Sequence, residues 1–81
     1  MIAEYIAFNN IKVALLKLIK QDNSNKVYQY NYYKWRLSRG FKPRKLLELL
    51  KQEFKEYDVE IMFMEYEDAP CYSIYLYRKE E

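Results

Sequence analysis

The chain has no histidine, one cysteine, one glycine and two prolines among its 81 residues. Each shortage excludes something. Without histidine, the commonest zinc ligand and the usual general base are both missing. Cys71 alone can close neither an intramolecular disulfide nor a thiolate cage, and at the start of an apolar stretch it reads as a small core residue. Neither Cys71 nor Ser38 has a histidine to activate it, so a nucleophilic triad is ruled out. A lone glycine, Gly40, cannot build a phosphate-cradling loop. The scarcity of Gly and Pro also leaves little chain for long loops. No apolar run approaches the roughly 18 residues of a membrane span. The opening residues Met1 to Phe8 lack the charged start and cleavage site of a secretion signal. A non-enzymatic protein with no cofactor, no metal and no membrane partner is expected, in the cytoplasm (a host cytoplasm if the source is viral).

What is present is apolar and aromatic. Hydrophobic residues make up 51% of the chain and Phe, Trp and Tyr 19%, well above what a disordered chain carries. The length suits one domain, residues 1–81, near the lower limit for folding unaided.

The net charge of +2 conceals a segregation. Between Asp22 and Glu48 there is no acid, but there are seven bases: Lys26, Lys34, Arg36, Arg39, Lys42, Arg44 and Lys45. From Glu48 onward ten acids face Lys51, Lys55, Arg78 and Lys79. The molecule is therefore electrically polar along its sequence.

Element by element, Ile11, Leu15 and Leu18 form a helical stripe, with Asn9-Asn10 as the cap and Asp22-Asn23-Ser24-Asn25 as the stop. Residues 2–8 read as a short extra strand or extended arm, with a further helical turn as the other reading. Residues 26–39 favour a strand by their Tyr and Val content. Their Val27, Tyr30, Tyr33, Leu37 spacing and the Gly40-Phe41 end signal tip them to a helix. Pro43 suits the first position of the next helix, and Leu46, Leu47, Leu50, Phe54 and Tyr57 give it a buried stripe over 43–57. A hairpin closes the chain: Val59, Ile61 and Phe63 alternate with Glu60, Met62 and Met64, residues 67–70 turn, and Ile74 and Leu76 alternate back. Both hairpin faces are apolar, so helices should cover one and an N-terminal arm or a second subunit the other. The fold class is α+β, with two or three helices packed on a C-terminal hairpin.

The acid-free segment carries the functional signal. Phosphates attract Lys and Arg through counterion release, and interleaved aromatics offer stacking surface, although large rings are mostly buried. Lys42, Arg44 and Lys45 occupy a helix start whose free amides and dipole favour anions. Dipole logic disfavours cations there, so an incoming anion would explain them. Helix, helix, Gly-containing turn, Leu-rich helix and hairpin together resemble a winged helix-turn-helix DNA-binding domain over residues 9–79. That resemblance implies that Arg44, Lys45 and Glu48 face base edges while Lys34, Arg36, Arg39 and Lys42 meet phosphates. Two features depart from it: the hairpin tip Glu65-Tyr66-Glu67-Asp68 is acidic, and the short strand usual between the first two helices has no separate signal. Glu60, Glu65, Glu67 and Asp68 read as a solvated hairpin rather than a Mg²⁺ site.

The expected function is that of a nucleic-acid-binding regulator, for duplex DNA ahead of RNA, acting as a homodimer through the hairpin or the N-terminal arm. The alternative is a viral or phage-type interaction factor that grips a host protein through its charged surfaces.

Overall fold

The computed structural model describes residues 2–33, 41–66 and 69–79. It contains two helices, α1 (Ile2–Gln21) and α2 (Pro43–Glu53), and three strands, β1 (Val27–Tyr33), β2 (Tyr57–Tyr66) and β3 (Ala69–Arg78). The strands form one antiparallel sheet in the order β1-β3-β2.

Helix α1 starts earlier than the Asn9-Asn10 cap implied. Residues 2–8 are its first two turns, not a strand or arm. The buried stripe explains this: Glu4, Ala7, Ile11 and Leu15 all lie under the surface at helical spacing. Asn10 sits mid-helix, and its amide nitrogen donates to the Tyr32 hydroxyl at 3.4 Å. At the other end Asp22 stops the helix. Its carboxylate accepts from the Ser24 amide at 3.0 Å and from the Ser24 hydroxyl. Those two bonds, the hydroxyl first, hold the Asp22 carboxyl below its usual range.

The segment after this turn corrects the helical reading of residues 26–39. Val27 to Tyr33 are strand; Lys34 to Arg39, and the Gly40 end signal, lie outside the described residues. Period-2 alternation wins because Tyr28, Tyr30 and Tyr32 all face the helices, with Tyr28 and Tyr32 in the core. Tertiary burial on a sheet outweighs the weaker i, i+3 spacing of Val27, Tyr30 and Tyr33.

Helix α2 begins at Pro43 as expected. Lys42 before it is held extended (φ −115°, ψ 105°), as the residue preceding proline must be. The helix ends at Glu53, short of the expected residue 57. Phe54 leaves helical geometry (φ −110°, ψ 61°) while its amide still donates to the Leu50 carbonyl at 2.8 Å. Tyr57 opens β2 instead, yet its ring still packs edge-on against Phe54 (6.3 Å between centroids) and Tyr28 (6.2 Å). The apolar stripe is thus kept in space although the helix carrying it stops.

The hairpin forms as expected, but β3 lies in the middle of the sheet, paired on its far side with β1. Pro70 pairs only with β2, because β1 pairing begins at Cys71. That satisfies a residue unable to donate to a ladder on both sides.

Register defines the two faces. Tyr28–Leu76–Val59, Tyr30–Ile74–Ile61 and Tyr32–Tyr72–Phe63 point toward the helices. Helix α1 lies over β1 and α2 over β2, so Ile74 and Leu76 in the middle have no exposed surface. Val27–Tyr77–Asp58, Gln29–Tyr75–Glu60, Asn31–Ser73–Met62 and Tyr33–Cys71–Met64 form the other face. Among the described residues no element packs on this second face. The N-terminal residues, expected to cover it, are part of α1 on the opposite side.

Because β1 returns the chain antiparallel to the first helix, α2 starts where α1 started, and the two helices run the same way. Their N-terminal ends meet at Glu4 and Lys42. Their C-terminal ends line one depression through Leu16, Ile19, Glu53 and Phe54. Leu50 is fully buried between α2 and the sheet. Leu50→Ala should cost about 2–5 kcal/mol in urea unfolding; a loss below about 1 kcal/mol would contradict its place in the core.

Candidate nucleic-acid interface

Three of the six candidate phosphate- and base-contacting residues, Lys42, Arg44 and Lys45, are described; Lys34, Arg36 and Arg39 lie outside the described residues. Lys42 and Arg44 are exposed and Lys45 half-buried at the start of α2. One of the free amides at this helix start is taken within the chain. The Lys42 backbone N–H donates to Glu4 Oε2 at 2.8 Å, so a carboxylate of the chain itself already sits there.

The electrostatics of that contact are self-consistent. Glu4 retains 3% of its surface and lies in the first turn of α1. Its carboxylate therefore faces the positive ends of two parallel helix dipoles. The Lys42 amide bond holds its carboxyl below the ordinary glutamate range, while burial pulls the other way. The carboxylate meets the backbone of this helix start; none of the Lys42, Arg44 and Lys45 side chains is in an ion pair with it.

The exposed surface of α2 is more informative than its tip. Leu46 and Leu50 are buried, which turns the opposite side of the helix outward. Arg44, Glu48 and Lys51 follow at i, i+4 and i+7 on that side, and Lys55 continues the line into the turn beyond. Lys51 and Lys55 also line an open depression of about 310 Å³ with Lys79, Tyr57, Asp58 and Val59. None of Arg44, Lys51, Lys55 and Lys79 is engaged in an ion pair among the described residues. The cationic surface therefore runs along the whole helix and reaches the residue after β3.

Lys51, Lys55 and Lys79 do not stand out in the sequence because ten acids share the same stretch. The heptad-like spacing 44, 48, 51, 55 is the available signal. Folding moves some of those acids aside: Glu60 belongs to the open sheet face and Glu65 to the far end of the hairpin. Glu48, however, lies on the same helix line, and Asp58 lines the same depression as Lys51 and Lys55. Arg78, by contrast, is tied into the fold. Its guanidinium donates to the Asn23 carbonyl at 2.6 Å and the Asn25 carbonyl at 3.3 Å, and it lies 5.7 Å from the Tyr57 ring centre.

The aromatics of the basic segment divide as their size suggests. Tyr28 and Tyr32 are core, Tyr30 and Phe41 pack against it, and Trp35 lies outside the described residues. The described rings supply structure rather than a stacking platform. Among the described residues no group of three or more Cys, Asp or Glu could hold a metal ion, and no helix is long and apolar enough to cross a membrane. Comparisons of the chain with family models, curated proteins and solved structures return no match.

The Glu4 contact has a signed pH dependence. A carboxyl depressed in the folded state stabilises fully above its unfolded pKa, and that contribution is lost as pH falls through the folded value. Glu4→Gln should lower the melting temperature near pH 7, and the gap from the parent should narrow only as pH falls below the ordinary glutamate range of about 4.3. A gap that stays constant with pH would contradict a charged Glu4.

Proposed function

We propose that this chain is a small non-enzymatic nucleic-acid-binding protein that lays the outward face of α2 against the nucleic acid, duplex DNA ahead of RNA. One observation carries the reading: Arg44, Lys51 and Lys55 share one exposed line, none held in an ion pair among the described residues, with Lys79 beside it. Cations left unpaired on a single surface are what a row of phosphates requires.

The geometry suits a duplex. An α-helix with its side chains is about 10–12 Å across, and the major groove of B-DNA about 12 Å wide. Helix α2 projects a Leu-rich side inward and a charged side outward, so it can enter the groove without disturbing the core. In that pose Arg44 and Lys45 reach guanine acceptors, and Glu48, between the cations, can accept from cytosine. Lys42, Lys51, Lys55 and Lys79 then meet phosphates. Lys34, Arg36 and Arg39, outside the described residues, remain candidate phosphate contacts on their charge.

A winged-helix arrangement agrees with the element order. A strand, β1, follows the first helix, and a hairpin follows the Leu-rich helix. The acidic hairpin tip argues against a wing that grips phosphate, which confines the contact to α2 and its flanks. A regulator that binds without cutting or modifying its target fits this surface, since the chain has no histidine to offer as a general base.

Fluorescence anisotropy with labelled duplex DNA at stepped salt tests the reading. The log of the binding constant should fall with log salt at a slope of about −3 or steeper. The double reversal Arg44→Glu and Lys51→Glu should weaken binding about tenfold or more and flatten the slope by about 2. Binding that survives both reversals unchanged would sink the proposal and favour a protein partner instead.

A further inference from the structure

Helix α1 is apolar on both sides. Its inward side buries Ala7, Ile11 and Leu15, while its outward side leaves Tyr5, Ile6, Val13 and Leu16 between 43% and 58% exposed. Tyr5, Asn9, Val13 and Leu16 fall at spacings of 4, 4 and 3, so they make one continuous stripe. A helix that is hydrophobic all round is ordinarily a buried one. The charges on this outward side are of one sign: Lys17 and Lys20 are exposed, and Lys12 stands beside them over the Phe8 ring. No acid occurs from Tyr5 to Gln21.

The open face of the sheet has the opposite character. Met62 and Val27 are 45% and 44% exposed, and the Tyr75 and Tyr77 rings stack at 6.0 Å with 16° between their planes. Asp58 and Glu60 stand exposed among them, and none of the strand residues on this face is basic. Burial, then the negative charge of Glu60, pushes the Tyr77 phenol up.

Among the described residues two apolar surfaces on opposite sides of a two-layer fold have no element packed on them, one bordered by lysines and the other by carboxylates. The occupant that matches both is a second copy of the chain. We propose that the outward side of α1 of one molecule seats on the open sheet face of the next, Lys17 and Lys20 toward Asp58 and Glu60. Helix α1 is then sandwiched between two sheets, which accounts for its apolar character all round and for a sheet that is apolar on both faces. The two surfaces differ, so the contact is head-to-tail, and it propagates as a ring or an open stack. The proposal does not rest on the cations of α2, so self-association and nucleic-acid binding are tested by separate measurements.

Sedimentation velocity on two variants, alone and mixed, decides the matter. Val13→Glu removes the helix surface and keeps the sheet surface; Met62→Lys does the reverse. Both positions are exposed, and circular dichroism establishes that each variant folds. The parent should grow beyond a dimer as concentration rises, and each variant alone should remain monomeric. Their equimolar mixture should form a 1:1 heterodimer and nothing larger, because one intact surface of each kind remains. If either variant unfolds, the pair Lys17→Glu with Lys20→Glu serves in its place and should weaken self-association about tenfold or more at low salt. Self-association of Met62→Lys equal to the parent would assign the helix surface to a symmetric dimer and overturn the proposal. A parent that is monomeric at every concentration would overturn it too.

Discussion

One buried carboxylate fixes the relation between the helices. The strand between them reverses the chain, so the two N-terminal ends, each a partial positive charge, are brought side by side. Glu4 stands between them, in the first turn of α1 and within hydrogen-bond distance of the Lys42 amide. It offsets both dipoles with a single negative charge and satisfies a backbone donor that no side chain of α2 caps. The orientation of α2 follows from this contact at one end and from Leu46, Leu50 and Phe54 against the sheet along its length. With that face fixed inward, Arg44, Glu48 and Lys51 can only face out.

The sequence was legible where local and tertiary preferences agreed. Pro43 followed by Leu46, Leu47 and Leu50 marks a helix start and its buried stripe, and both are where they were expected. The alternation of Val59 to Met64 and of Ser73 to Tyr77 likewise marks the hairpin and its two faces. It misled where the two preferences competed. Val27, Tyr30 and Tyr33 have helical spacing, yet the same stretch places Tyr28, Tyr30 and Tyr32 on one side of a strand. Only the free pairing edge of β3 decides between them, and that edge lies beyond α2 and β2 along the chain. Residues 2–8 were misread for a related reason: Glu4 looks like a solvent-facing charge until its partner, Lys42, is known.

The candidate site shows the same division. Charge segregation pointed to the stretch ending at Lys45, and the structure places Lys42, Arg44 and Lys45 at one helix start. What could not be read was that Glu4 of α1 accepts from the Lys42 amide at that helix start. Nor could the sequence show that folding would carry Glu60 and Glu65 of β2 away from Lys51 and Lys55 while leaving Asp58 beside them. Polarity in the sequence thus becomes polarity between surfaces, with a cationic helix face separated from an acidic, aromatic sheet face.

The helix pair depends on an ionised Glu4 that bridges two helix starts. Carboxyl-detected NMR during an acid titration reads this directly. The Glu4 side-chain carbon should titrate with a midpoint below that of an unperturbed glutamate, and the Lys42 amide proton should shift with the same midpoint as its acceptor is protonated. A Glu4 midpoint at or above the ordinary glutamate value, or a Lys42 amide that ignores it, would contradict a charged bridge between the helices.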